Sequence, residues 1–98
     1  MDYNEAMDMS KLFQEIGGFT KVEVRHRGFY AEQTPEVEAD GRWLVELWHI
    51  NPNSGVRDMI SVENYMPAMA DVIARKAKEK FTAKDNAAFA RRKAANEE

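Results

Sequence analysis

The first sixteen residues carry apolar side chains every three or four positions, which is the spacing of one helix face. These residues are Ala6, Met9, Leu12, Phe13 and Ile16. We expect Asp2 or Asn4 to cap the helix start, because a short side-chain oxygen accepts a hydrogen bond from a free N–H group. Gly17-Gly18 is expected to end the helix, since glycine adopts the left-handed conformation easily.

After the glycines the hydrophobic period changes from helical to two. Lys21-Val22-Glu23-Val24-Arg25 alternates strictly, and this predicts a strand whose valines face a core. The segment from Trp43 to Ile50 is apolar on both faces, with Trp43 and Trp48 on opposite sides. Such a strand belongs in the middle of a sheet. The turn residues 51–55 then lead into a further strand over 56–62.

Asp40-Gly41 is the sharpest local turn signal in the chain. An Asp-Gly pair suits a type I′ turn, which requires positive φ at both central residues. Here it separates Val37-Glu38-Ala39 from Arg42-Trp43-Leu44. The pattern therefore predicts a hairpin between 37–39 and 42–44, with Thr34-Pro35 interrupting the pairing before it.

From about Asn64 the period is helical again. The apolar stripe consists of Met66, Met69, Ala70, Ile73, Ala77 and Phe81. Pro67 is expected in the first turn, where its missing N–H group costs nothing. Thr82-Ala83-Lys84-Asp85 resembles a capping box and predicts a separate third helix, in which Phe89 is the large apolar residue.

These elements predict an α+β fold in the order α-β-β-β-α-α. Short connections indicate an antiparallel meander of three to four strands, with the N-terminal and C-terminal helices packed on the sheet. We predict one domain over 1–82, followed by a basic, alanine-rich helix or tail over 83–98.

Composition excludes several classes of protein. The 98 residues contain no cysteine, which excludes a disulfide scaffold, a thiolate zinc site and a cysteine nucleophile. No apolar run approaches the roughly 18 residues of a membrane helix. The first residues include acids where a signal peptide needs positive charge. We therefore expect a cytoplasmic protein that does not associate with membranes.

Three residues are candidates for chemistry: His26, His49 and Glu46. Two histidines are too few for a structural zinc site, so we predict hydrogen-bonded strand histidines, no metal and no cofactor. Glu46 interrupts an otherwise apolar strand. It is a candidate general base, but the ordinary alternative is a cross-strand pair with a cation such as Arg25, Arg27 or Arg57. No serine triad motif or phosphate loop is visible, and we expect a protein that is not an enzyme.

Charge divides unevenly along the chain. Residues 1–71 carry a formal charge of −7 and residues 72–98 of +4, within a net charge of −3. The basic segment makes nucleic-acid binding the alternative functional hypothesis, through attraction to phosphates. Its candidate residues are Arg75, Lys76, Lys78, Lys80, Lys84, Arg91, Arg92 and Lys93. The simpler interpretation is a solvated helix face.

The first functional hypothesis is a small, non-catalytic protein-binding module, with homodimerisation as one form of that binding. Helices on one side of the sheet can cover only one of the two tryptophans, and exposed aromatic residues are common interface anchors. The alternative is a small second cluster, built by segment 28–40, that covers the other tryptophan within the chain. By analogy of size, an inhibitor or accessory factor of the kind that mobile-element genes encode fits the first hypothesis. The candidate contact residues are Trp43, Trp48, Phe29, Tyr30, Glu36 and Glu38.

Overall fold

Two long helices pack on one face of a three-stranded antiparallel sheet. The computed structural model describes the backbone of residues 1–96 and the side chains of residues 1–91. The elements are α1 (Tyr3–Ile16), β1 (Lys21–His26), α2 (Pro35–Glu38), β2 (Trp43–Ile50), β3 (Arg57–Val62) and α3 (Ala70–Asn96). The predicted α+β class, the meander and the two terminal helices are confirmed.

Helix α1 begins and ends where its sequence predicts. The Oδ1 atom of Asp2 accepts a hydrogen bond from the Glu5 amide at 2.8 Å, and Oε1 of Glu5 accepts from the Asp2 amide at 3.0 Å. This reciprocal pair is a capping box. Gly17 ends the helix with φ of 75°, a conformation that glycine adopts without steric cost.

The sheet order is β1-β2-β3, so β2 is the central strand, as predicted. Val24 lies opposite Val45, and His26 lies opposite Trp43. On the other side, Val45 is paired with Val62. The pairing places alternate residues of all three strands on a common face.

The core lies between the first sheet face and the two long helices. Helix α1 contributes Ala6, Met9 and Phe13, and β2 contributes Trp43, Val45 and Leu47. Helix α3 contributes Ala70, Ala74, Ala77 and Phe81. The small alanines allow α3 to approach α1 closely, and Phe81 packs against the rings of Phe19 and His49.

The second sheet face carries Leu44, Glu46, Trp48 and Ile50 of the central strand, and none of these residues belongs to the core cluster. Even so, Leu44 is 7% exposed and Glu46 is 4% exposed. Side chains of the outer strands cover them. Arg27 beside β1 reaches Glu63 beside β3, with Nη1 and Oε2 3.4 Å apart.

The predicted hairpin around Asp40-Gly41 is wrong. Residues 35–38 form the short helix α2 instead of a strand, and Gly41 does not have positive φ. Thr34 caps α2, since its Oγ1 accepts from the Val37 amide, and Pro35 occupies the first turn. Asp40 accepts a hydrogen bond from the Arg42 amide and so leads the chain into β2. These local capping interactions replace the strand pairing that an Asp-Gly turn would support.

The predicted third helix is also wrong, because α3 runs without a break from Ala70 to Asn96. Thr82 lies inside this helix and does not cap a new one. Lys84 and Asp85 instead contact the sheet: Lys84 Nζ lies 3.5 Å from Asp58 Oδ1, and Asp85 Oδ2 lies 2.7 Å from His49 Nε2. The alanine-rich sequence favours continuation, since alanine has the highest helix propensity. The division into 1–82 and 83–98 stays a prediction.

Helix α3 makes the molecule elongated. Its 27 residues span about 40 Å at 1.5 Å per residue. The radius of gyration is 16.2 Å, against about 13 Å for a compact domain of this size. Within residues 1–96, no helix combines the length and hydrophobicity that crossing a bilayer would require.

Candidate functional site

A concave surface lies where β1 ends and the chain turns towards α2. It has a volume of about 660 Å³ and is lined by His26, Phe29, Tyr30, Val37 and Trp43, among others. We call it the aromatic cavity. It brings together three of the predicted contact residues, namely Phe29, Tyr30 and Trp43.

His26 forms one wall of the aromatic cavity, and its orientation is set by the backbone. The Gly28 amide donates to His26 Nδ1 at 2.8 Å. The Nε2 atom of the same ring lies 3.5 Å from Asp40 Oδ2. Among the described residues this buried nitrogen has no hydrogen-bond partner. A Cβ atom at Gly28 would lie 3.1–3.3 Å from side-chain atoms of His26 and Tyr30, so a larger residue there would displace these two rings slightly.

Asp40, Arg42 and Tyr30 form the polar support of this wall. The Arg42 guanidinium donates to both carboxylate oxygens of Asp40 and also to the Tyr30 hydroxyl. Hydrogen bonds from the Arg42 side chain are the main reason that the pKa of Asp40 falls to about 2. The same interactions raise the pKa of Arg42. Tyr30 is thereby held against the edge of the His26 ring, with ring centroids 4.6 Å apart.

Trp43 forms the floor of the cavity and is sealed by the chain itself. It is 8% exposed, and its Nε1 donates to the Val37 carbonyl at 2.8 Å. Its ring meets Tyr3 and His26 edge to face, at centroid distances of 4.9 and 5.0 Å. Trp43 is therefore a structural residue with one edge in the cavity.

Phe29 lies at the rim of the same cavity and is 98% exposed. Tyr30 beside it is also exposed. A fully solvated phenylalanine ring gains about 1.5–3 kcal/mol when it is transferred from water to an apolar contact. A buried aromatic floor and an exposed aromatic rim thus lie side by side at this cavity.

The remaining tryptophan, Trp48, lies on the second sheet face. It is partly buried, with Lys21 Nζ 4.4 Å from the centroid of its ring. Its Nε1 donates to Glu46 Oε1 at 3.4 Å. The same carboxylate oxygen lies 3.5 Å from Arg25 Nε, which confirms the ordinary expectation of an Arg25–Glu46 pair across strands. The second face is thus covered by side chains rather than left bare.

The structure does not bring the candidate chemical groups together. His26 and His49 lie on the same sheet face but near opposite ends of β2, about 20 Å apart at the rise of a strand. Glu46 points to the other face. His49 stacks on Phe81 and contacts Asp85. Hydrogen bonds from Asn51 and then from His49 lower the pKa of Asp85. Among the described residues no group of three such side chains is arranged to hold a metal ion.

The basic residues of α3 do not form one continuous patch. Arg75 lies one helical turn from both Asp71 and Glu79, which offset its charge. Lys78 folds over Phe19, with Nζ 5.2 Å from the ring centroid, and Lys84 is held by β3. Within the described part of α3 the exposed cations are Arg75, Lys76, Lys80, Lys84 and Arg91. The side chains of Arg92 and Lys93 lie outside the described residues.

The acidic residues near the cavity belong to α2, a short helix in a segment for which the sequence pattern predicts a strand. Glu36 is exposed, whereas Glu38 accepts a hydrogen bond from Gln33 at 2.8 Å. The signal for this helix was present, because Thr34 is a good cap and Pro35 a preferred first residue. No sequence pattern indicated that Asp40 and Arg42 would support the wall of the aromatic cavity. That role depends on where Tyr30 and His26 lie after the chain has folded.

Comparisons with models of protein families, with curated proteins and with solved structures gave no significant match for this chain.

Proposed function

We propose that this chain is a small, non-catalytic protein-binding module whose contact surface is the aromatic cavity. The observation that carries the proposal is Phe29, a fully exposed aromatic ring at the rim of a cavity with an ordered aromatic floor. Large hydrophobic residues exposed beside a preformed cavity mark interaction sites more often than isolated surface residues do. An inhibitor or accessory factor that covers a partner's surface is the role we infer.

The cavity is supported independently of any partner. Tyr30 is held by Arg42, His26 by Gly28, and Trp43 by the Val37 carbonyl. A binding surface that is already ordered loses less conformational entropy on association. This support favours the cavity over the second sheet face, where Trp48 and Glu46 are engaged within the chain.

Phe29→Ala tests the proposal, with Phe89→Ala as its matched control. Both phenylalanines are exposed, at 98% and 69%, so neither substitution should lower the unfolding midpoint appreciably. The two tagged variants and the tagged unmodified chain are each used to capture partners from the source cells. Sedimentation of each purified protein measures its self-association. We expect Phe29→Ala to lose a partner or a self-association that Phe89→Ala keeps. Equal behaviour of all three proteins would contradict the proposal.

Nucleic-acid binding through α3 is the alternative proposal. Its support is the pair Lys76 and Lys80, which are exposed and lie four residues apart on one side of the helix. The acidic remainder of the chain opposes it. Binding to duplex DNA or RNA at low salt that disappears after charge reversal of Lys76 and Lys80 would favour this alternative over the first proposal.

A further inference from the structure

We infer that the partner binds as an extended segment that adds a fourth strand to the free edge of β1. This inference rests on the proposed function and specifies how the partner is held. Strand addition supplies main-chain hydrogen bonds for affinity, and pockets for alternate side chains supply specificity.

The edge of β1 offers unpaired backbone groups. The Arg27 amide donates to the Arg42 carbonyl at 3.0 Å. Because hydrogen-bonding direction alternates along a strand, residues 21, 23 and 25 face β2. Val22, Val24 and His26 therefore direct their N–H and C=O groups away from the sheet. Within the described residues none of these groups has a hydrogen-bond partner.

The edge of β3 is different, because side chains block it. The Asn51 amide bonds the Val56 carbonyl, so Arg57 and Met59 direct their backbone groups outward. Asp58 Oδ1 accepts from the Met59 amide at 2.9 Å, and Lys84 Nζ donates to the Arg57 carbonyl at 3.1 Å. Proteins commonly protect edge strands against pairing in this way. The edge of β1 is thus open along its length, whereas on β3 the blocked groups leave the backbone open only towards Ser61.

Two cavities lie along the open edge. The aromatic cavity touches Val24 and His26, and a smaller one of about 210 Å³ touches Val22, Phe13 and Phe19. Val22 and Val24 are two residues apart, about 7 Å along the strand. Alternate side chains of an added strand have the same spacing. Two apolar side chains of the partner, two residues apart, therefore match the two cavities.

The charges of β1 select the other side chains of the partner. Arg25 and Arg27 point to the second sheet face and remain 61% and 60% exposed despite their ion pairs. The partner's intervening positions should therefore be acidic, since opposite charges on adjacent strands attract. A second copy fits less well than such a segment. Antiparallel pairing of two β1 strands centred on Val24 would place Glu23 opposite Arg25 but also Lys21 opposite Arg27, so the repulsive pairs offset the attractive ones. The inferred ligand is thus an extended peptide segment of another protein that alternates apolar and acidic residues.

The test uses the whole chain and a phage-displayed library of random dodecapeptides, from which the tightest binder is synthesised.

Val24→Pro removes an outward N–H group without breaking a bond to β2, and proline is tolerated at such edge positions. Ser61→Pro makes the equivalent change on the edge of β3 and serves as the control. We expect a selected sequence that alternates apolar and acidic residues. Val24→Pro should weaken binding of the selected peptide about tenfold or more, because a main-chain hydrogen bond and a strand contact are lost. Ser61→Pro should leave binding of the peptide unchanged.

Amide hydrogen exchange of the unmodified chain gives a second measurement that does not depend on the proline variants folding. The amides of Val22, Val24 and His26 should exchange more slowly when the peptide is bound, while the Ser61 amide should not change. Protection elsewhere, or equal binding by both proline variants, overturns strand addition and leaves the proposed function standing. Failure to select any binding peptide overturns strand addition as well. If Phe29→Ala also changes no association, the proposed function fails with it.

Discussion

Trp43 and Trp48 lie on the same central strand and have different kinds of cover. Trp43 is enclosed by α1, α2 and the turn after β1, and its indole N–H group bonds a backbone carbonyl. Trp48 is covered by the flexible side chain of Lys21 and bonds a carboxylate of its own strand. The difference shows that a three-stranded sheet can cover one face with secondary structure and the other with the long side chains of its outer strands.

The largest effect that distinguishes the two faces is expected from Trp43→Ala. Removing a buried aromatic side chain costs about 3–5 kcal/mol, because the cavity left behind collapses only in part. Urea unfolding measures the loss, and Trp48→Ala is the comparison. We expect Trp48→Ala to lose clearly less, because Lys21 and solvent adjust around the smaller residue. Equal losses would show that the second face is as firmly packed as the first.

Arg25→Ala tests the side-chain cover of the second face and should have an intermediate effect. It leaves the buried Glu46 carboxylate with fewer partners, and an unmet buried acceptor costs about 1 kcal/mol or slightly more. Arg57→Ala is the control, because Arg57 is also exposed on that face and has no ion pair within the described residues. The two variants are compared by thermal unfolding at one pH. A loss in the Arg57→Ala variant as large as that in Arg25→Ala would contradict a specific role for the Arg25–Glu46 pair.

The smallest effect is a pH dependence near the first face. Arg42 holds the pKa of Asp40 at about 2, below the ordinary aspartate value of 3.8. A lowered pKa in the folded state means that the ionised group stabilises the fold above pH 4. That stabilisation is lost as pH falls from about 4 towards 2. The melting temperature of Asp40→Asn should therefore fall less steeply than that of the unmodified chain between pH 4 and 2. If the melting temperatures of the two proteins fall in parallel over this pH range, Asp40 does not help to stabilise the wall of the aromatic cavity.

The elements that the sequence predicted correctly have strong local patterns. The cap at Asp2, one of the two residues predicted for it, the glycine end of α1 and the alternation of β1 each involve neighbouring residues. The two errors have different causes. Around Asp40-Gly41 a competing local signal decided the outcome, because Thr34 caps α2 and Asp40 bonds Arg42. At Thr82–Asp85 helix propensity favours continuation, and a distant contact between Asp85 and His49 is made from within the helix.

The candidate site was predictable in part. Phe29, Tyr30 and Trp43 were chosen as aromatic contact residues, and the structure places all three at one cavity. Trp48 was chosen for the same reason but lies apart from them. The contrast between the open edge of β1 and the blocked edge of β3 was not visible, because Lys84 reaches Arg57 from a helix that follows it by many residues.

Periodicity and capping in the amino-acid sequence determined the α+β class, the central position of β2 and the extent of α1. These features depend on contacts between residues close in the chain and on the separation of apolar from polar positions. Only the tertiary structure decided which tryptophan is sealed, which edge of the sheet is open and where the exposed phenylalanine lies. The physical reason is that burial and backbone satisfaction depend on side chains such as Lys21, Lys84 and Arg42, whose partners are brought near only when the chain folds.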